Sequence, residues 1–161
     1  MKLVTFQHPK VVELLDENKI YYPNPDGNSN EYTDIFYQYS KKFGKTIKSA
    51  VWAIYRVDGI RCDKLNNIII GKILSTMPFL EYHTPMLVDV PDNIVMLSDF
   101  YSWSSYIQDL SDGLEDIEPI NWDREINWDE IVTVQAIFPL LKFKWVDSIG
   151  FGNRLLMEWE E

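Results

Sequence analysis

The sequence predicts an α+β fold, with a mixed, mostly antiparallel sheet and two or three short helices in a single domain over residues 1–161. The chain has 161 residues, of which 46% are hydrophobic and 14% aromatic, enough for one packed core. Short apolar or alternating runs separated by turn residues predict strands, and only a few segments show helical spacing. Because strands and helices do not alternate regularly, a repeated strand–helix–strand architecture is excluded.

The N-terminal part predicts a strand, a helix and a second short strand. Residues 3–7 alternate between the two faces of a strand, and Pro9 stands where proline is favoured in the first turn of a helix. Apolar residues at 11–15 form the buried stripe of that helix, and 20–22 follow as an extended segment. Proline, asparagine and glycine then predict a surface loop at 23–30.

The next part predicts a helix and a buried strand. Aromatic and apolar residues recur at helical spacing over 32–43, and Gly44 is well placed to end this helix. Residues 50–57 are typical of a buried strand that ends in a turn at Asp58-Gly59. The pattern at 66–80 leaves two alternatives open, a strand with a glycine bulge or irregular structure.

Two further strands and a third helix are predicted in the second half of the chain. The strands cover 85–90 and 94–97, and a turn separates them. Ser98 or Asp99 can accept hydrogen bonds from the first free N–H groups of a helix, which continues to Leu110.

An acidic connector is predicted at 111–130, followed by strands at 132–138 and 140–146. The connector contains two similar segments, Ile-Asn-Trp-Asp at 120–123 and again at 126–129. Two copies are too few for a repeat architecture, so we expect a loop whose tryptophans attach it to the body of the domain.

The charge is distributed unevenly along the chain. The formal net charge is −10, but residues 81–130 hold thirteen acidic residues against one basic residue, Arg124. Residues 41–80 hold eight basic residues against two acidic ones. This pattern excludes direct nucleic-acid binding by the acidic stretch. It allows a solvated acidic face, a surface that mimics nucleic acid and binds a basic protein partner, or a homo-oligomer formed through faces of opposite charge.

Several other classes of site are disfavoured. The chain has one cysteine, Cys62, which we expect to be an inert, exposed residue in a turn. Its two histidines, His8 and His83, belong to no metal-binding motif, so no metal site is predicted. No stretch resembles a signal peptide or a membrane span, and we predict a cytoplasmic protein that does not contact a membrane.

Four segments, in order, resemble a bacterial family described as domain of unknown function 3841. They read Thr-Phe-Gln at 5–7, Trp-Ala-Ile-Tyr at 52–55, Val-Met-Leu-Ser-Asp-Phe at 95–100 and Val-Gln-Ala-Ile-Phe at 134–138. The resemblance extends over about residues 1–147, and it departs from the family at Ser104, where a histidine is usual. It implies the fold and the size of the domain more than a function.

The layout of the predicted elements is also similar to small ADP-ribosyltransferase-like folds. That resemblance implies NAD as a possible cofactor. It implies that Thr5 or Gln7 holds a ribose and that Trp52 or Tyr55 stacks on nicotinamide. Arg56 would face a phosphate.

Gln135 would occupy the catalytic position in this layout. Such enzymes usually carry a glutamate there to stabilise a developing positive charge, which a glutamine amide does not supply. Independently of any family, Gln7 and Gln135 are amides within apolar strands, where a buried amide needs hydrogen-bond partners. Either the two line a pocket, or they face solvent or bond to the backbone.

Two functions therefore follow from the sequence. The first is a small-ligand or nucleotide-handling domain, catalytic or degenerate, with a pocket where Gln7, Tyr55, Arg56 and Gln135 converge. The alternative is an acidic interaction protein, for example an inhibitor that binds a nucleic-acid-processing enzyme. That function requires carboxylates exposed together on one surface.

Overall fold

One antiparallel sheet with helices on both faces forms the core of the protein. A computed structural model describes residues 1–24, 32–151 and 154–155. The strands are β1 (Lys2–Gln7), β2 (Ile20–Tyr21), β3 (Val51–Val57), β4 (Ile60–Arg61), β5 (Thr84–Asp89), β6 (Met96–Asp99), β7 (Val134–Phe138), β8 (Leu141–Lys142), β9 (Val146–Phe151) and β10 (Arg154–Leu155). The α-helices are α1 (Pro9–Asn18), α2 (Thr33–Phe43), α3 (Asn67–Thr76) and α4 (Phe100–Ser111).

The main sheet has the strand order β10-β9-β5-β1-β3-β7-β6, and β4 pairs with β3. Strands β2 and β8 form a separate two-stranded sheet. Strand β1 pairs with β5 along its whole length, from Lys2 opposite Asp89 to Gln7 opposite Thr84. Its register with β3 is limited to Val4 opposite Ile54, so β1 and β3 stop pairing towards the C-terminal end of β1.

The register assigns the strand residues to two faces, because directly opposed residues in an antiparallel pair point the same way. One face carries Val4, Ile54 and Gln135, and α3 packs over part of it through Ile69, Ile70 and Ile73. On the same face, α2 and α4 cover the β6–β7 side. The opposite face carries Leu3, Val51, Ala136 and Phe138, and Leu15 of α1 packs there.

Local chemistry explains where the helices begin and end. The Nδ1 atom of His8 accepts the N–H of Lys10 at the start of α1. Asp99 accepts the N–H of Tyr101 at the start of α4, so Asp99 is the N-cap. Gly44 ends α2 with φ +70°, and its N–H donates to the carbonyl of Ser40.

The predicted α+β class is confirmed, and the described residues contain four α-helices instead of two or three. The additional helix is α3, in the segment that was ambiguous between a bulged strand and irregular structure. Its run of three isoleucines is typical of a strand. However, the side chain of Asn66 accepts the N–H of Ile69, and burial of the apolar face of the helix outweighs the strand preference of the isoleucines.

Three smaller expectations need correction. The predicted strand at 140–146 is divided into β8, a short 3-10 helix at Phe143–Trp145 and β9. The strand predicted at 94–97 begins later, because a 3-10 helix occupies Asp92–Ile94. Cys62 is fully buried instead of exposed. Most of the loop predicted at 23–30 lies outside the described residues.

Candidate ligand-binding site

A cavity of about 670 Å³ opens where β1 and β3 stop pairing, and residues from both faces of the sheet line it. The end of β1, the starts of β3 and β7, the segment after α3 and the first turns of α1 and α4 all contribute to its lining. Gln7, Trp52 and Gln135 line it together. Three of the predicted site residues therefore share one concave surface.

Several aromatic rings line the cavity. The rings of Trp52 and Trp103 are stacked, with centroids 6.3 Å apart and an interplanar angle of 26°. The ring of Tyr32 meets Trp52 edge-on at 5.7 Å. Phe79 lines the cavity although 71% of its surface is exposed, so it stands at the mouth. Flat, polarisable walls of this kind bind planar rings through offset-stacked or edge-to-face contacts.

Gln135 lines the cavity and carries an unpaired hydrogen-bond donor. The residue is only 4% exposed, and its Nε2 atom is buried without a hydrogen-bond partner among the residues that the structure describes. The β-ladders on both sides place Gln135 opposite Ile54 and Ser98, whose side chains point to the same face. A buried donor without a partner is unfavourable, so this amide has unused hydrogen-bonding capacity beside a space that a ligand can fill.

Thr5 positions Gln7. The buried hydroxyl of Thr5 donates a hydrogen bond of 2.7 Å to the carbonyl oxygen of Trp52. The Nε2 atom of Gln7 donates to the same hydroxyl oxygen at 2.8 Å. Thr5 itself does not line the cavity, so its contact with any ligand would be indirect.

Sequence reasoning missed the two histidines at this site. His8 and His83 both line the cavity, and their rings meet edge-on with centroids 6.3 Å apart. The β1–β5 register explains this contact, because Gln7 pairs with Thr84 and each histidine is the next residue along the chain from one of them. The sequence indicated only that His8 and His83 belong to no metal-binding motif, and no short motif links the pair.

The described lining of the cavity carries no formal charge when both histidines are neutral. Among the described residues that form it, none is a lysine, an arginine, an aspartate or a glutamate. Its polar groups are the amides of Gln7, Gln108 and Gln135, the hydroxyls of Ser104 and the tyrosines, and the imidazoles. The cavity is thus suited to an uncharged, partly apolar molecule.

Tyr55 and Arg56 lie outside this cavity. The part of β3 that lines the cavity ends at Ile54. The Tyr55 side chain packs against the core on the other face from Ile54, and Arg56 pairs with Arg61 of β4. The hydroxyl of Tyr55 donates to a carboxylate oxygen of Asp129 at 3.0 Å, and the Arg61 guanidinium lies 3.7 Å from the centre of the Tyr55 ring. Burial, with the hydrogen bond to Asp129, raises the pKa of Tyr55. The face of the Tyr55 ring that the Arg61 guanidinium covers is therefore not available to stack on a ligand.

A second cavity, of about 680 Å³, lies under the acidic connector. Trp103 lines both cavities, whereas Ser98, Trp122 and Trp128 line only this one. The indole N–H of Trp122 donates to a carboxylate oxygen of Asp34 at 2.9 Å and so attaches the connector to α2. The eight acidic residues of the connector are all exposed: Asp112, Glu115, Asp116, Glu118, Asp123, Glu125, Asp129 and Glu130.

Two other kinds of site are absent from the part of the chain that the structure describes. Three or more potential metal ligands cluster nowhere within 1–24, 32–151 and 154–155. None of the helices in those ranges has the length and apolar character that crossing a bilayer requires. Burial raises the pKa of the Cys62 thiol to about 12, so this thiol is protonated at neutral pH and is a poor nucleophile.

Compared with protein-family models, with curated proteins and with solved structures, the chain gives no match. The resemblances to domain of unknown function 3841 and to ADP-ribosyltransferase-like folds thus stay predictions. Any function has to be argued from the geometry of the cavity.

Proposed function

We propose that this protein binds a small planar ligand of the nucleobase or nicotinamide type in the aromatic cavity. The observation that carries the proposal is the Gln135 side chain in the cavity lining, whose Nε2 atom is buried and unpaired among the described residues. An amide N–H donates to a carbonyl oxygen, so the ligand ring bears a carbonyl or carboxamide group on the edge that reaches Gln135.

The walls of the cavity support a ring-shaped ligand. Trp52 and Trp103 are already stacked on each other, and Phe79 at the mouth leaves most of its surface exposed. A planar ligand inserted here buries its own faces together with exposed aromatic surface, which is a favourable exchange. Gln135 then provides orientation and specificity rather than most of the binding energy.

NAD is a possible ligand, but the cavity suits its nicotinamide part better than its diphosphate. The nicotinamide ring and its carboxamide fit the aromatic walls and the Gln135 donor. The diphosphate has no lysine or arginine to contact in the described lining. We therefore expect NAD to bind no more tightly than nicotinamide.

Calorimetric titration with matched compounds tests the proposal. Nicotinamide and 3-acetylpyridine keep the carbonyl group, whereas 3-methylpyridine keeps the ring and loses it. We expect the first two to bind more tightly than the third by about twofold to tenfold, the range for one neutral hydrogen bond. Uracil and hypoxanthine extend the panel to rings with built-in carbonyls.

Two variants assign the difference to a residue. Gln135→Met should abolish the preference for the carbonyl compounds. Gln38→Met, which alters a half-buried glutamine lining only the other cavity, should leave it unchanged. If none of the ring compounds binds at millimolar concentration, the proposal is wrong.

The connector supports a second proposal, an acidic surface that binds a basic protein partner. Its eight carboxylates are exposed, while Trp122 attaches the segment to α2 through Asp34. Asp123 also lies 3.8 Å from Lys41 of α2, a second contact of the connector with that helix. The carboxylates are thus presented on an attached segment, as an interaction surface requires.

Salt dependence tests this second proposal. A lysine-rich polypeptide should bind at low ionic strength and dissociate as salt screens the charges. A variant in which Asp112 and Asp116 become asparagine, and Glu115 and Glu118 become glutamine, should bind more weakly. Binding that is unchanged by salt and by neutralisation contradicts the proposal. Sedimentation of the protein alone at low salt tests the self-association alternative.

A further inference from the structure

We propose that the ligand of the aromatic cavity is an uncharged, nucleoside-like molecule, with a ring carbonyl for Gln135 and a hydroxyl group for Gln7 and His8. This inference rests on the proposed ring-binding function and specifies its ligand class. It follows from the direction of each hydrogen bond made by Thr5, Gln7 and His8, from the spacing of the polar groups, and from the absence of charged side chains in the described lining.

The hydrogen bonds around Thr5 determine which atom of Gln7 is available. The carbonyl of Trp52 only accepts, so the single hydroxyl proton of Thr5 is used there. The hydroxyl oxygen must therefore accept from Gln7, which directs the Nε2 atom of Gln7 towards Thr5. The Oε1 atom of Gln7 remains, and it offers a ligand an acceptor.

The helix cap determines the hydrogen-bonding role of His8 in the same way. The Nδ1 atom of His8 accepts the backbone N–H of Lys10 at 3.0 Å. The proton of the neutral imidazole is therefore on Nε2, which is a donor. Adjacent residues at the end of β1 thus provide an acceptor, from Gln7, and a donor, from His8. A hydroxyl group both donates and accepts, so it is the ligand group that satisfies this pair.

The two polar ends of the cavity are too far apart for one ring to reach both. Gln135 is level with Ile54 and Val4 across the sheet. Gln7 lies three residues beyond Val4 along β1, so its side chain is on the other face, with Leu3 and Thr5, and it lines the cavity at the gap between β1 and β3. With ordinary strand spacing, the two glutamine backbones lie on the order of 14 Å apart. A ligand that contacts both side chains therefore needs a second moiety attached to its ring, such as a sugar.

The charge of the cavity excludes phosphorylated forms of such a ligand. A phosphate needs lysine, arginine or a helix N-terminus for compensation, and the described lining has neither basic residue. The helix starts at the lining are those of α1 and α4, and the side chains of His8 and Asp99 already cap them. A nucleoside is preferred over the corresponding nucleotide for this reason.

Titrations at pH 7.5 with uracil, uridine and uridine 5′-monophosphate, and with the matching hypoxanthine series, test the inference. We expect each nucleoside to bind more tightly than its base by about twofold to tenfold. The monophosphate should bind no more tightly than the nucleoside. A 2′,3′-dideoxynucleoside should lose the advantage over the base, because it lacks the hydroxyls on the lower edge of the sugar.

Two variants test the roles of the individual residues. Gln7→Met should lower the affinity for the nucleoside more than the affinity for the base, and so remove the preference for the nucleoside, because only the nucleoside has a hydroxyl group for Gln7. His8→Asp retains a side chain that caps α1 and has no hydrogen-bond donor, so it should have the same effect. Gln38→Met is again the control.

The outcomes separate the two proposals. If base and nucleoside bind equally, or if Gln7→Met weakens both alike, the inference is overturned while ring binding stands. Tighter binding of the monophosphate also overturns it, since it contradicts the uncharged class. If no base or nucleoside binds, the proposed function fails and the inference fails with it.

Discussion

The strongest test of the site is the replacement of Gln135 by methionine in the protein without ligand. Methionine is similar to glutamine in length and has no strong hydrogen-bonding group. Because the Nε2 atom of Gln135 is buried and unpaired, the substitution removes an unsatisfied donor and opens no large cavity. A substitution at a buried polar residue usually destabilises a protein, whereas this one is expected to stabilise it.

The size of the effect follows from the burial. An unsatisfied buried donor costs roughly 1–3 kcal/mol, and imperfect packing of the thioether offsets part of that gain. We expect the free energy of unfolding to rise by about 1 kcal/mol. For a chain of this length, that corresponds to an increase of about 2–4 °C in the melting temperature.

Urea denaturation is the appropriate assay, because the slope with denaturant shows whether the unfolding transition stays comparable between variants. Thr5→Val is the matched comparison. It removes a buried polar group that is paired on both sides, with Trp52 and Gln7, and should destabilise by about 1–3 kcal/mol. If Gln135→Met destabilises to a similar extent, the amide has a partner inside the protein and the argument for the site is refuted.

Three further predictions concern other parts of the fold. Burial raises the pKa of the Cys62 thiol to about 12. The thiol should therefore resist a thiol reagent at pH 8 in the native protein and react after urea is added. Rapid reaction of Cys62 in the native protein would contradict its burial. Tyr82 is 83% exposed and has φ +72°, a backbone conformation that glycine adopts with less strain than tyrosine. Tyr82→Gly should therefore raise the free energy of unfolding, measured by urea titration, by about 1 kcal/mol. A decrease in the free energy of unfolding would contradict this prediction. The hydroxyl of Tyr39 donates to the carbonyl of Ile94, and burial raises the pKa of Tyr39 to about 12. In the unfolded chain Tyr39 ionises near pH 10, before it does in the folded protein, so stability should fall between pH 10 and 12. Tyr39→Phe should make that fall smaller. Unfolding curves recorded across this pH range test both expectations.

The sequence was sufficient to place most strands and three of the helices. Alternation and apolar runs located β1, β3, β5 and β7, because each packs at least one face against the core. Capping residues such as Asp99 located the helix starts. Helix α3 was not predicted, since local preference favours a strand for consecutive isoleucines and only tertiary burial reverses it.

The candidate site could be predicted only in part. Gln7, Trp52 and Gln135 share the aromatic cavity, but Tyr55 and Arg56 do not, because the β3 residues that line it end at Ile54 and the Tyr55 side chain packs against the core on the other face. His83 could not be predicted without the β1–β5 register that brings it to His8. Register depends on pairing over long sequence separations, which local patterns do not encode.

The aromatic cavity depends on how the sheet uses its polar groups. Towards the C-terminal end of β1, the side chain of Thr5 bonds to the Trp52 carbonyl, and β1 and β3 have stopped pairing there. Gln135 lies opposite Ile54, level with the pair that Ile54 forms with Val4 beside this gap, and its backbone is held by the ladders to both β3 and β6. Its side-chain donor has no partner among the described residues, whereas the Gln7 donor is bonded to Thr5. The two amides therefore present opposite groups to a ligand, a donor at one end and an acceptor at the other. A ligand with complementary groups binds in one orientation, with its ring carbonyl at Gln135.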